Sequence, residues 1–290
     1  MTNLSSAHKD FVADLKAKNR APSTILAYGK DIDQLVEFLR QRGIENAEEV
    51  KLEDLKAFSE DLFAKKYTAK SVSRKINSIK SFFRFLQEQK GLTSNPSTLL
   101  PHPKVELKPP RVLQPMEYRA LRDACRADPR TSAIVELLLQ TGMRIGELAE
   151  IQLDHIKFSE DNKPGELLIP NRPRHPKRTI PLNKAVQEAI KRYLKVRPKS
   201  KTKTLFITKT GKPLLVRNIR ATIDRYFKSA GIKKARVNDL RNTFIVTQLS
   251  AGVPLTTVSK LVGHRRLSTT EKYLELIGEK EKLGVKLREL

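Results

Sequence analysis

A chain of 290 residues can hold two domains, each with a core of its own. Its 57 Lys and Arg against 32 Asp and Glu leave a net charge of +25, which points to a polyanionic partner, nucleic acid first; the cations run along the whole chain instead of gathering on one amphipathic helix, which disfavours a membrane surface. A single cysteine, Cys125, excludes an internal disulfide; there is no Cys/His cluster for zinc, no signal-peptide core in M-T-N-L-S-S-A-H-K-D, and no membrane-length apolar run, so a cytoplasmic protein without metal or cofactor is expected.

Residues 5–18 predict a first helix with Phe11, Val12 and Leu15 on one face. A longer helix starts at Pro22-Ser23-Thr24, with Ser23 or Thr24 as its candidate cap. It carries Ile25, Tyr28, Ile32, Leu35, Val36 and Leu39 at spacings of three and four, and Gly43 stops it. A third helix over 52–65 buries Leu55, Phe58 and Leu62. A fourth over 70–89 buries Val72, Ile76, Ile79, Phe83 and Leu86 and turns Lys70, Arg74, Lys75, Lys80 and Arg84 outward. Acidic residues are absent from Thr68 to Gln87, so these cations have no partner one turn away on their own helix. They are read as a face laid on DNA phosphates. This first domain, residues 1–100, is all-helical and has no obvious chemistry.

The prolines Pro96, Pro101, Pro103, Pro109 and Pro110 deny the next stretch a helix or a central strand. Residues 101–112 are read as a stiff basic linker, and 113–290 as the second domain. That domain opens with a helix at Pro115. A strongly apolar helix follows, ending at Thr141-Gly142, and Arg144 sits where the next short helix begins. Strands are expected at 166–169 and 178–182, flanking a long hairpin tip N-R-P-R-H-P-K, and another at 204–208 before a turn at Thr210-Gly211. The rest reads as helices: 184–195, 216–230, 239–251, 255–261 and 268–276. The fold class is mainly α with a small β-sheet.

Singly, Arg144 in T-G-M-R-I-G-E-L, Arg241 in D-L-R-N-T-F, His264 after Gly263, and Tyr273 closing S-T-T-E-K-Y are unspecific. Jointly they form a constellation. Two arginines can grip the non-bridging oxygens of one phosphodiester and stabilise the charge that grows on them. A tyrosine hydroxyl can attack phosphorus and hold the DNA as a phosphotyrosyl ester, which keeps the bond's energy and needs neither ATP nor metal for rejoining. A histidine can hydrogen-bond the phosphate or move a proton, and a lysine on the hairpin can protonate the departing 5′ oxygen.

These motifs resemble the tyrosine recombinases, the family of phage integrases and Xer recombinases, over almost the whole chain. T-G-M-R-I-G-E-L is similar to the first arginine box, L-R-N-T-F to the second, and L-V-G-H-R-R-L-S-T-T-E-K-Y to the segment that carries the last histidine and, nine residues later, the tyrosine. The resemblance implies Arg144 and Arg241 as catalytic arginines, Glu147 as the supporting acid, His264 as the last histidine and Tyr273 as the nucleophile. It also implies an all-helical core-site-binding domain and an α+β catalytic domain that close on duplex DNA as a C-shaped clamp. Four protomers would act on paired sites, each C-terminal tail docking on a neighbour, here through Leu283, Val285, Leu287 and Leu290.

The pattern departs in two places. Where the family usually has His or Lys three residues before the second arginine, this chain has Asn238, and Asn242 replaces a further histidine; an amide neither takes nor gives a proton at neutral pH. The hairpin lysine's register falls on Pro173, between Arg172 and Arg174, so Lys177 is the candidate proton donor with Arg174 as the alternative. An arginine stays protonated and is a poor donor. The expected function is therefore a recombinase, for integration and excision of a mobile element or for resolution of replicon dimers. The alternative is an inactive DNA-binding accessory protein of the same fold.

Overall fold

The computed structural model describes residues 1–106, 109–160, 164–171 and 176–277. It divides into two compact units, Met1–Leu107 and Lys108–Leu290. Among the described residues no helix is long and apolar enough to cross a membrane, and no three His, Cys, Asp or Glu side chains are grouped to hold a metal ion.

The first unit is built from α1 (Leu4–Ala17), α2 (Pro22–Arg40), α3 (Leu52–Ala64) and α4 (Ala69–Lys90). Asn3 caps α1 by accepting from the amides of Ser5 and Ser6, and Thr68 caps α4 through the amide of Ser71. For α2 the cap differs from expectation. Ala21 is the N-cap, with no side-chain hydrogen bond. Pro22, whose φ is preset for a helix, takes the first turn and places Ser23 and Thr24 inside the helix. The apolar stripes meet in a core containing Phe11, Leu35, Leu55, Phe58, Ile76, Ile79 and Phe83, with the Phe11 and Phe82 rings edge to face at 5.4 Å. The proline-rich stretch begins as part of this unit: Pro96–Leu99 form a 3₁₀ turn and Leu100 is buried.

One expectation for α4 is corrected. Lys75 is 3% exposed, so it does not lie on an outward face. Its Nζ donates to Asp31 Oδ1 at 2.9 Å and to Gln34 Oε1, and lies over the Tyr67 ring, 5.2 Å from the centroid. Asp31, itself buried, also accepts from Arg74 and from Ser78 Oγ at 2.8 Å. The partner comes from α2, 44 residues upstream, which inspection of α4's own charges does not reveal. Lys70 and Arg84 are exposed and Lys80 is half-buried, while Arg74 keeps 46% of its side chain in solvent.

The second unit begins with α5 (Pro115–Cys125), α6 (Pro129–Thr141) and α7 (Ile145–Ala149). A three-stranded antiparallel sheet follows in the order β1 (Ile156–Lys157), β2 (Gly165–Ile169), β3 (Arg178–Leu182). The register pairs Leu167 with Ile180 and Ile169 with Arg178. Then come α8 (Lys184–Val196), α9 (Val216–Ser229), α10 (Val237–Ser250), α11 (Leu255–Val262) and α12 (Ser268–Glu271). The apolar middle of α6, Ala133 to Leu139 with Glu136 the exception, lies in the core of this unit. Cys125 is buried in the same core, and burial pushes its thiol up to about 11, as an inert apolar residue requires.

Two element assignments change. Residues 204–208 make isolated bridges, Thr204 to Gln152 and Ile207 to Pro213, in place of a strand; Leu205, Phe206 and Ile207 are all buried, and their backbone pairs only over single residues on each side. The helix expected over 268–276 breaks into α12 and a 3₁₀ turn over Leu274–Leu276, with Tyr273 between them.

The buried charges of the first unit give a test. Removing one partner of a buried ion pair strands the other, at a cost of about 3–5 kcal/mol. Asp31→Leu should therefore destabilise the chain by that amount in urea unfolding followed by circular dichroism. Asp31→Leu combined with Lys75→Leu should recover most of it. A single-variant loss below about 1 kcal/mol would show that the Lys75 ammonium reaches water instead.

Candidate active site

The site is assembled from the ends of helices. α6 stops at Gly142, which has φ 59°. A Cβ at that position would stand 2.3 Å from Phe244 Cδ1, so both backbone and space require glycine. Two residues on, Arg144 is the N-cap of α7. Glu147, in the first turn of α7, accepts the Arg144 backbone N–H at 2.8 Å and its Nη1 at 3.2 Å. The three-residue spacing of Arg144 and Glu147 is thus the reach of a capping carboxylate.

A second helix end faces the first. α11 terminates at Gly263, φ 70°, leaving carbonyls without intrahelical partners. Arginines take three of them in succession. Arg178 Nε donates to Leu261 O at 2.8 Å, Arg144 Nη1 to Val262 O at 3.4 Å, and Arg144 Nη2 to Gly263 O at 2.8 Å. Cations at a helix C-terminus also meet the negative end of its dipole. Arg178 binds Glu147 through both terminal nitrogens, at 3.0 and 2.8 Å, with its side chain 8% exposed. Arg178 was not among the residues singled out from sequence, where it is only the first residue of a strand.

α10 supplies the third part. Arg241 is 5% exposed; its Nη1 donates to Gly142 O, and its Nη2 is buried with no partner among the described residues. One residue on, Asn242 receives the Tyr273 hydroxyl on Oδ1 at 3.0 Å and Asn238 Nδ2 on the same oxygen at 3.2 Å. Asn242 Nδ2 is tied to Arg111 O at 3.1 Å. The His264 ring lies parallel to Tyr273, centroids 6.3 Å apart, with Nδ1 2.8 Å from Thr270 Oγ1. Asn238 itself is exposed on the wall of a cavity of about 430 Å³ that Arg220, Arg236 and Arg241 also line.

The charges interlock. Burial pushes Glu147 upward, but Arg178 and then Arg144 outweigh it and hold the carboxyl at about 2. Burial, then the neighbouring Arg144, lowers Arg241 to about 10, so it stays charged at neutral pH. Burial and the positive field of Arg241, Arg144 and Arg178 lower His264 to about 4, leaving the imidazole neutral. Burial raises the Tyr273 phenol, with Arg241 pulling the other way.

Arg144, Glu147, Asn238, Arg241, His264 and Tyr273 thus converge. Lys177 is exposed immediately before β3. Arg174, with Arg172 and Pro173, lies outside the described residues, as does the tail that carries Leu283 to Leu290. Chemically, the pocket offers two guanidinium groups with unspent N–H donors, a neutral imidazole and a phenol. That set suits a phosphodiester.

The sequence profile of the phage integrase family matches residues 111–279, and that of its N-terminal SAM-like domain matches residues 9–90. The tyrosine recombinase XerC of Anoxybacillus flavithermus is 32% identical, over 88% of each chain. XerC of Bacillus subtilis is 30% identical, over 96% of this chain and 94% of its own. Among solved structures, XerH recombinase in a post-cleavage complex with palindromic difH substrate superposes with a TM-score of 0.77 at 17% identity, covering 91% of this chain and 80% of that one. A lambda integrase dimer bound to a COC′ core site gives 0.75 at 16%, covering 100% and 80%. These distant likenesses show the fold.

The imidazole gives a pH test. NMR should place the His264 titration near pH 4, well below the ordinary 6.5. Between those values the unfolded chain binds a proton that the folded one refuses. The contribution to stability is whole above 6.5 and is lost as pH falls through 4. His264→Gln should flatten the stability profile in that window; a midpoint at 6 or above would mean that neither burial nor the arginines hold the imidazole neutral.

Proposed function

The chain belongs to the phage integrase family, the tyrosine recombinases, and from that membership we propose that it cuts and rejoins duplex DNA at specific sites through a 3′-phosphotyrosyl intermediate on Tyr273. The observation that carries the reading is Arg241 Nη2, a buried cationic donor without a partner among the described residues, in one pocket with Arg144 and the Tyr273 phenol. A buried, unpaired donor is costly, and an incoming phosphate oxygen removes that cost.

In this reading the Tyr273 oxygen attacks phosphorus and the bond to the 5′ oxygen breaks. The 3′ phosphate is left on Tyr273 and a free 5′ hydroxyl departs. Arg241 and Arg144 hold the two non-bridging oxygens, and His264 donates from its free ring nitrogen. The phenol proton goes to water, because neither Asn242 nor Asn238 can accept it. Lys177 protonates the leaving 5′ oxygen. Attack by the 5′ hydroxyl of a partner strand reverses the steps and seals the new junction, without ATP or metal. Strand exchange between two sites calls for four protomers, and the core site is double-stranded DNA. Lys70, Arg74, Lys80 and Arg84 contact phosphates, which hold the protein on DNA without reading sequence. Lys75 is omitted from that set because Asp31 holds it.

An inactive accessory role is the second reading, favoured by the amides at 238 and 242. Trapping separates the two. A duplex from the native flanking region, nicked beside the cleavage point so that the short fragment diffuses away, should yield a protein–DNA adduct on a denaturing gel. Tyr273→Phe should abolish it. Binding without an adduct, in the wild type, would favour the accessory role. The Kd should also weaken steeply with salt: for about six phosphate contacts the slope of log K against log salt is about −5. Arg84→Gln should make it shallower by about one, and Lys75→Gln should leave it unchanged.

A further inference from the structure

The site described so far leaves one buried cation without a role. Arg178 opens β3, next to the candidate proton donor Lys177, and uses all three of its guanidinium nitrogens on protein. Nε holds Leu261 O, and Nη1 and Nη2 hold both oxygens of Glu147. Through Glu147 it reaches the backbone and guanidinium of Arg144. Through Leu261 it reaches the α11 terminus, which Arg144 grips from the other side and which leads directly into His264. The fit is tight. A Cβ on Gly263 would lie 2.9 Å from Arg178 Nη1, so this helix end has been brought against the guanidinium itself.

We propose that Arg178 is a positioning residue: it locks the β2–β3 hairpin, the phosphate-binding Arg144 and the His264 segment into one register. The proposal rests on the recombinase reading for its consequence but on geometry for its substance. The three elements lie apart in the chain: β3 belongs to the sheet, Arg144 to a helix start, and His264 to a loop after a helix end. Lysine cannot replace the fork, since one ammonium does not span both carboxylate oxygens and a carbonyl in the same plane. Three of the five Arg178 N–H donors are spent here and its side chain is 8% exposed, whereas Arg241 Nη2 is buried with no partner among the described residues.

The test uses the full chain with Arg178→Gln and Arg178→Lys. On intact target duplex both should bind within about threefold of wild type, whereas adduct formation on the nicked duplex should slow about 100-fold for Arg178→Gln, the scale of a misplacement of about 1 Å. Arg178→Lys, which keeps the charge, should recover about tenfold of that loss. The wild-type rate should be flat on the acid side. In Arg178→Gln it should acquire an acid limb, because Glu147 then faces only Arg144 at its own helix start and the more distant Arg241. An Arg178→Gln enzyme with the wild-type rate or a flat profile would overturn the proposal.

A second readout needs no chemistry. In the free protein, carboxyl NMR of Glu147 should move upward in Arg178→Gln, and amide exchange at Val262 to His264 should quicken at least tenfold. Unchanged signals would overturn the positioning role whether or not the protein cuts DNA. Moved signals in a chain whose wild type forms no adduct would sink the recombinase reading and leave Arg178 in its place.

Discussion

The site depends on one carboxylate. Arg144, Arg178 and Arg241 crowd a mostly buried pocket, and Glu147 is the anion that two of them share. Gathering like charges away from water is expensive unless each is paired and hydrogen-bonded. Glu147 and three helix-end carbonyls hold Arg144 and Arg178. Arg241 is left with one nitrogen on Gly142 O and one without a partner among the described residues. The pocket thus carries a net positive charge that the fold does not cancel. Its depressed His264 records the same field, since a second proton there would add a fourth cation. A phosphodiester is the group that completes the balance. The affinity for it is built into the folding of the unit, not added on its surface.

Geometry follows from chain reversals. Gly142 and Gly263 both take left-handed backbone at helix ends, and each sets a carbonyl beside an arginine. Tyr273 is placed differently. It lies between a four-residue helix and a 3₁₀ turn, held by the bond to Asn242, the parallel His264 ring and a small cluster with Phe244, Ile245, Val258 and Val262. Short elements with a small core open at low cost. To attack, the phenol gives up its proton and with it the bond to Asn242. The nucleophile thus sits between short elements, while Arg241 projects from the fourteen-residue α10.

Much of this was legible in the chain. Arg144 and Glu147 three apart at a helix start, and Gly263 before His264, are local patterns with local causes. What was not legible is long-range. Arg178 meets Glu147 from 31 residues away and Leu261 from 83, so no spacing announces it. Lys75 looked like a surface cation because its own helix offers no acid, yet Asp31 on another helix takes it inside. Leu205 to Ile207 read as a strand because a short, fully buried apolar run gives the same signal whether it pairs along a ladder or only through isolated bridges. In each case the sequence showed the residue type correctly, and tertiary contact decided its use.

The amides at 238 and 242 belong to this balance. A histidine at either place would add another titratable group to a pocket where positive charge is already in excess, and at the buried position 242 burial beside Arg241 would disfavour its charged form, as it does for His264. An amide keeps the same donors and acceptors at every pH, and Asn242 uses both ends, one for Tyr273 and one for the Arg111 carbonyl. Around the phenol the described groups then stand well apart in protonation: Glu147 at about 2, His264 at about 4, Arg241 at about 10, and Tyr273 above its ordinary 10. Across the neutral range none of the four changes charge. The field at the nucleophile is fixed before substrate arrives, and an entering phosphate is what alters it. Preorganised charge of that kind costs no rearrangement during reaction.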